Sequence, residues 1–285
     1  TQMVIHPNCN RAQSTYAGKL MGLAAWGEYS QEMYELIEAN KDEINKLHFS
    51  GCEHLLKVFG LSGSYENAWK DTRRTALAHT AHRYWVDGFC ENLKKYMERS
   101  PNIVLVGGCA LNIDLNTKIL SKGLFNQVYI PPVAPDSGQS LGAILFRYPK
   151  TGCNYPYLGR GYGDADESSA EQLAKDLISG KIVCWYNGRS EIGPRALGNR
   201  SFLAMPSTTE IKERLSEKIK RREPYRPLAA IVMKEALSQY FEFEGLSPYM
   251  SFAAKAKPTT ATRCPAIIHR DGTTRLQVLD RATNP

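Results

Sequence analysis

Twice between positions 102 and 148 a short apolar run ends in a glycine- or proline-bearing turn and passes into a helical pattern. NIVLVGG leads into 113–121, and QVYIPP leads into 137–148. Strand, turn and helix alternating over so few residues predict an α/β layer fold. Upstream, 30–47 reads as one amphipathic helix with Met33, Leu36, Ile37, Ile44 and Leu47 on a face. Residues 66–99 read as helical over most of their length, stopped at Ser100-Pro101. Downstream, 168–180 reads as a helix capped by Ser168, and KIVCWY as a strand. Ser207-Thr208-Thr209-Glu210 is a capping box opening a helix in which Ile211, Leu215 and Ile219 recur every four residues. Pro224 forbids its continuation. Residues 148–166 carry Pro, Gly and Tyr without apolar periodicity and read as a linker. Two domains, 1–150 and 151–285, are therefore expected.

With 42% hydrophobic and 10% aromatic residues the chain has material for a real core, which excludes a disordered class. No apolar run approaches the roughly 20 residues that span a bilayer, and no charged-then-apolar leader opens the sequence. The expectation is a soluble, cytoplasmic protein without a membrane partner. Seven cysteines are scattered without a C-x-x-C pair, which points to neither a disulfide framework nor a cysteine zinc site.

The net charge of +7 is concentrated: positions 181–228 hold eleven Lys/Arg against five Glu. Within them, GRSEIGPRALGNRS (188–201) sets Arg189, Arg195 and Arg200 beside one acid, Glu191. Arginine presents a planar fork of donors suited to two-point contact with phosphate or carboxylate. The glycines and Pro194 would hold an irregular backbone that aims those forks inward. KIKRREPYRPLA (218–229) adds Lys220, Arg222 and Arg226. We read the pair of segments as an anion site in preference to a solvated face. A general nucleic-acid binder would spread its basic charge along a face, so nucleic acid is not the expected partner.

Two further stretches have open readings from the residues alone. VGGCALN (106–112) puts glycines after a strand and before a helix start, which makes either a tight turn or a phosphate cradle. Asp136, in PVAPDSGQSLGA, is either a helix N-cap or a carboxylate held at a strand end for a metal ion. His79 and His82, three apart, read as ordinary helix residues. No G-x-S-x-G elbow or Walker loop is present.

At these residues the sequence resembles the NodU/CmcH carbamoyltransferases. GGCALN, VYIPPVAPDSGQSLGA, GRSEIGPRALGNRS, REPYRPLA, SPYM and AIIHRDGTTRLQVL follow the family's order, and KLMGLAAWG looks like another of its segments. The resemblance implies an actin/sugar-kinase-like (ASKHA, TsaD-like) domain, here its C-terminal half, followed by an incomplete YrdC-like α/β domain. It implies two steps. Carbamoyl phosphate and ATP give carbamoyl adenylate in the YrdC-like part. The other part, holding a divalent metal (Fe or Zn, with Mg accompanying ATP), passes the carbamoyl group to a hydroxyl of a small-molecule acceptor. Arg195, Arg200 and Arg222 then match catalytic positions. Gly107, Gly108, Asn112, Arg189, Ser201, Lys220 and Arg226 match substrate- or nucleotide-binding ones, and Asp136 the metal ligand. An H-x-x-x-H motif and an LNTSFN-like run, both expected of the family, are absent from the sequence. The chain is thus expected to be part of a longer polypeptide or a degenerate gene product. A tRNA threonylcarbamoyladenosine-type enzyme and a non-catalytic fragment are the competing readings; acceptor and oligomeric state are not legible.

Overall fold

The computed structural model describes residues 15–46, 57–61, 67–149 and 155–280. They fall into two compact units, 1–97 and 98–285.

The first unit is helical where described: α1 (Thr15–Ala24), α2 (Gln31–Ala39), α3 (Lys41–Lys46) and α4 (Thr72–Leu93). Ser30 caps α2 by accepting the Met33 N–H, and Asp71 caps α4 by accepting from Arg73 and Arg74. Met33 and Ile37 of α2 and Leu77, Ala78, Val86 and Cys90 of α4 are buried. The single helix expected over 30–47 is broken. Asn40, at φ −112° and ψ 13°, leaves helical geometry and separates α2 from α3. Leu47 lies outside the described residues, as does Glu66 at the head of the next predicted helix. That helix runs over 72–93 and tightens into a 3₁₀ turn at Lys94–Tyr96.

The second unit has the expected mixed α/β architecture, with three sheets among the described residues. β1 (Asn102–Val104) and β2 (Gln127–Tyr129) pair in parallel across α5 (Ile113–Ser121). After a 3₁₀ turn at Asp136–Gly138 comes α6 (Gln139–Arg147), and later α7 (Glu167–Ile178). Asp166, not Ser168, caps α7: its Oδ1 accepts the Ser169 N–H at 2.9 Å. β3 (Val183–Tyr186) and β4 (Arg200–Leu203) form an antiparallel pair that brackets the arginine loop. α8 (Thr209–Glu213) follows, with Thr208 and not Ser207 at its N-cap and without a side-chain capping bond, so the predicted box does not head it. Its continuation, Arg214–Ile219, is a π-helix. The wider turn keeps Ile211 and Leu215 buried but carries Ile219 off the stripe into solvent.

The main sheet has the order β5-β8-β7-β6, from β5 (Ala229–Met233), β6 (Phe241–Glu242), β7 (Phe252–Ala256) and β8 (Thr273–Leu279). Two short helices, α9 (Leu237–Tyr240) and α10 (Pro258–Arg263), join its strands. Ala230, Val232, Phe241, Ala254, Leu276 and Val278 form its core. Thr274, Leu276 and Val278 occupy one face of β8, so Thr273, Arg275 and Gln277 lie on the other. α5 is tied to β7 across the 150/151 boundary. Asn116, fully buried, donates to Ala110 O and Ser251 O, each at 2.9 Å, and Thr117 exchanges bonds with the Ala253 backbone.

The predicted linker does not hang free. Residues 150–154 lie outside the described set, but 156–165 are laced to the arginine loop. Gly159 N donates to Ser190 O, Ile192 N to Pro156 O, Gly188 N to Gly163 O and Ala165 N to the Asn187 side chain. Backbone pairing had no apolar pattern to announce it.

Candidate functional site

The loop 187–199 is organised from within. Glu191 Oε1 accepts the Leu197 N–H at 2.6 Å and the Arg200 N–H at 3.3 Å, so the one acid of the segment holds backbone and not an arginine. Arg200 donates to four carbonyls, those of Asn187, Asn199, Arg160 and Gly188, at 2.7–3.1 Å. Its guanidinium stacks 3.4 Å from the Tyr186 ring centre. Arg189 donates to Gly159 O and Leu158 O, both at 3.0 Å. Ser201, buried on β4, accepts the Gly198 N–H at 3.1 Å. Two of the three arginine forks thus close on the loop and on the neighbouring 158–160 backbone.

Arg195 goes elsewhere. One of its N–H groups reaches Leu111 O at 3.1 Å, at the end of the VGGCALN turn, and it lines a small cleft with Ala110, Pro132 and Tyr249. Burial, and then the nearby Arg226 charge, lower its pKa. Arg222 comes off the π-helix through Arg221, whose φ of 48° lies in the left-handed region. Its Nη2 donates to Ser216 Oγ at 3.1 Å, while its buried Nε has no hydrogen-bond partner. Lys220 is pushed down by desolvation first and then by Arg222, Arg275 and Arg226.

The residue that sequence reasoning missed is Arg275, on the loop-facing side of β8. Its Nε is enclosed without a partner. Its pKa is driven well down by burial and then by Arg195, Arg222 and Arg226. Arg195, Lys220, Arg222, Arg226 and Arg275 therefore form one cluster of mutually repelling cations. One acid, Glu223, pairs with Arg226 at 3.8 Å on a part-exposed surface, where such a pair contributes little. Charges this desolvated and this poorly neutralised destabilise an empty protein and favour a bound oxyanion.

Gly107, at φ 89°, makes the turn after β1 that only glycine enters easily, and its N–H donates to Ala134 O at 2.7 Å. A Cβ on Gly107 or Gly108 would meet nothing within 4 Å, so both face open space. Asn112 Oδ1 caps α5 through the Asp114 and Leu115 N–H groups. Asp136 is exposed in its 3₁₀ turn, and the helix that follows takes no side-chain cap from it. Among the described residues no three His, Cys, Asp or Glu side chains gather where a metal ion would sit. A divalent ion would need ligands beyond them.

Two groups of shifted proton affinity share Asp271 as a neighbour, and one of them, His269, also feels Arg275. Burial, aided by the neighbouring Asp271 charge, pushes the Asp114 carboxyl up to about 7. Burial holds the His269 imidazole down at about 4, with Asp271 opposing it. The ring sits against Leu228 O at 3.2 Å and Thr273 Oγ1 at 3.3 Å. A raised acid contributes stability that is present below its unfolded value near 4 and lost as pH rises through about 7. A depressed histidine contributes stability that is present above about 6.5 and lost as pH falls through about 4. The two slopes oppose each other over the same window. Asp114→Asn is expected to leave stability rising from pH 4 to 6.5, and His269→Gln to leave it falling from pH 4 to 7. Urea unfolding at both ends of the window checks the signs.

A mixed α/β chain with a part-buried, under-neutralised arginine cluster has the makings of an oxyanion binder. A profile described as "Carbamoyltransferase N-terminus" matches residues 3–145, and one described as "Carbamoyltransferase C-terminus" matches residues 174–285. The chain belongs to the carbamoyltransferase family. It is 35% identical to nodulation protein U of Rhizobium tropici over 94% of this chain and 51% of that one. To nodulation protein NolO of Bradyrhizobium diazoefficiens it is 37% identical, over 64% of this chain and 38% of the relative. To the 3'-hydroxymethylcephem-O-carbamoyltransferase of Amycolatopsis lactamdurans it is 30% identical, over 94% and 54%. The chain thus spans about half the length, or less, of these curated relatives. No helix among the described residues is long and apolar enough to cross a membrane.

Proposed function

We propose that this chain carries the carbamoyl-activating part of an O-carbamoyltransferase. In this reading 1–150 belong to an ASKHA-type transfer domain and 151–285 to a YrdC-like domain, acting in the cytoplasm. The observation that carries it is the cluster of Arg195, Lys220, Arg222, Arg226 and Arg275, in which like charges outnumber the counter-charge that Glu223 supplies. Carbamoyl phosphate, ATP and one water give carbamoyl adenylate, pyrophosphate and inorganic phosphate. Bringing two phosphorylated reactants together crowds negative charge, and fixed guanidiniums offset that repulsion and stabilise charge growing in the transition state. Arg195, Arg222 and Arg275 grip the reacting phosphates, with Lys220 and Arg226 at the rim. Arg189, Arg200 and Ser201 hold the loop that presents Arg195. The open Gly107-Gly108 turn and Asn112 serve the nucleotide of the transfer step, and the acceptor is a small-molecule hydroxyl. A divalent ion would take Asp136 as this chain's ligand.

The intact protein is expected to exchange labelled pyrophosphate into ATP only when carbamoyl phosphate is supplied. Arg195→Ala should slow that exchange about 100-fold or more. Exchange that ignores carbamoyl phosphate would count against the proposal.

A further inference from the structure

Gln277 is wholly enclosed, with 0% of its surface exposed, yet half its amide is unused. Its Nε2 donates to Leu197 O at 3.1 Å, which fixes the orientation of the amide, because a carbonyl can only be met by the NH₂ end. Its Oε1 is consequently the other end, and that buried acceptor has no donor. An acceptor left in this state costs stability unless something brings it an N–H or O–H.

The location says what would. On the same face of β8, two residues earlier, stands Arg275, and Leu197 is two residues beyond Arg195 in the arginine loop. Gln277 therefore lies on the same strand face as Arg275, packed beneath the Leu197 backbone of the arginine loop, and it offers the opposite polarity. The Leu197 peptide is clamped from both sides: Gln277 and the Tyr157 hydroxyl donate to its carbonyl, and Glu191 Oε1 accepts its N–H. Glu191 Oε2 is a second buried acceptor without a donor. Guanidiniums suit a phosphate; unmet carbonyl and carboxylate oxygens suit an NH₂ group. A phosphorylated primary amide carries both.

We propose that Gln277 Oε1 accepts an N–H of the carbamoyl amide and is the specificity determinant that separates carbamoyl phosphate from acyl phosphates lacking that N–H. The inference rests on the carbamoyl-phosphate reading above and deepens it. Acetyl phosphate is the matched probe, since it replaces NH₂ by CH₃ and leaves the phosphate alone. A site built to hydrogen-bond an N–H rejects the analogue that lacks it, because its own polar group is then left unmet.

The test compares binding of freshly dissolved carbamoyl phosphate and acetyl phosphate to the full chain by calorimetry, in the wild type and in Gln277→Met. Wild type is expected to prefer carbamoyl phosphate by about tenfold or more. In Gln277→Met that preference should vanish through weaker carbamoyl phosphate binding, with acetyl phosphate unchanged. Leu197 O keeps its Tyr157 donor, so the substitution does not orphan the carbonyl. The wild-type ratio needs no variant and stands even if Gln277→Met misfolds. Equal wild-type affinities would overturn the proposal, as they would if a bound water served Oε1; so would a preference that survives in folded Gln277→Met. Carbamoyl-phosphate-dependent exchange with no such preference would sink the Gln277 assignment alone. Failure of either compound to bind, together with absent exchange, would sink both readings.

Discussion

Arg275→Met is expected to raise the melting temperature of the ligand-free protein and to abolish the further rise that pyrophosphate gives the wild type. The two halves of this result have one cause. In the empty site the part-buried Arg275 guanidinium stands beside Arg195, Arg222 and Arg226, and its Nε is enclosed and finds no acceptor. Methionine keeps the length and much of the apolar stem while removing the charge. Replacing buried charge by packed apolar atoms commonly stabilises by roughly 1–4 kcal/mol. The remaining arginines gain as well, since each loses a like charge from its surroundings. A multiply charged anion supplies what the empty site lacks, and at about 100 times its Kd it should protect the wild type by about 2.7 kcal/mol. Differential scanning fluorimetry with and without pyrophosphate reads both effects. A lower melting temperature with the pyrophosphate response intact would show Arg275 to be a structural cation.

Why Arg275 and Gln277 escape a reading of the sequence is instructive beside what did not. Residues 113–121 form the helix their apolar spacing predicts, because Ile113, Leu115, Asn116 and Ile119 bury one stripe and Asn112 caps it. The strands at 127–129 and 183–186 likewise follow from their apolar runs. Arg195, Lys220, Arg222 and Arg226 announce themselves by density and by the Gly and Pro residues that shape their backbones. Arg275 and Gln277 stand singly in TTRLQVL, whose alternation says only that one face of β8 is apolar. Whether the other face meets water or a loop 80 residues earlier is a matter of tertiary packing. Short-range pattern does not encode it. The same limit explains the misread linker, whose backbone at Gly159, Gly161 and Gly163 pairs with the arginine loop without any side chain of its own to announce it. It also explains Arg189 and Arg200. Arginine's fork fits carbonyl oxygens as well as phosphate, and composition does not say which is nearer.

Gly193→Ala is expected to unseat the arginine loop and to lose anion binding together with stability. Gly193 sits at φ 102°, a conformation that glycine tolerates and an L-residue rarely adopts. A Cβ there would also fall 2.2 Å from Pro132 O and 3.2 Å from the Val133 side chain. Pro132 is in the segment that follows β2, and its carbonyl cannot rotate aside as a flexible side chain would. The strained backbone and the clash act together, at a cost of roughly 3 kcal/mol or more. The clash is relieved only by moving 193–195 away from 132–133, which draws Arg195 off Leu111 O. Gly198→Ala is the instructive comparison. Its φ of 111° is equally unfavourable, but a Cβ there would meet nothing within 4 Å. It should carry the backbone strain without the collision, so its loss of stability is expected to be the smaller. Chemical unfolding of both variants, with pyrophosphate binding measured on each, separates strain from contact. Equal losses would mean that the Pro132 approach is not what seats the loop.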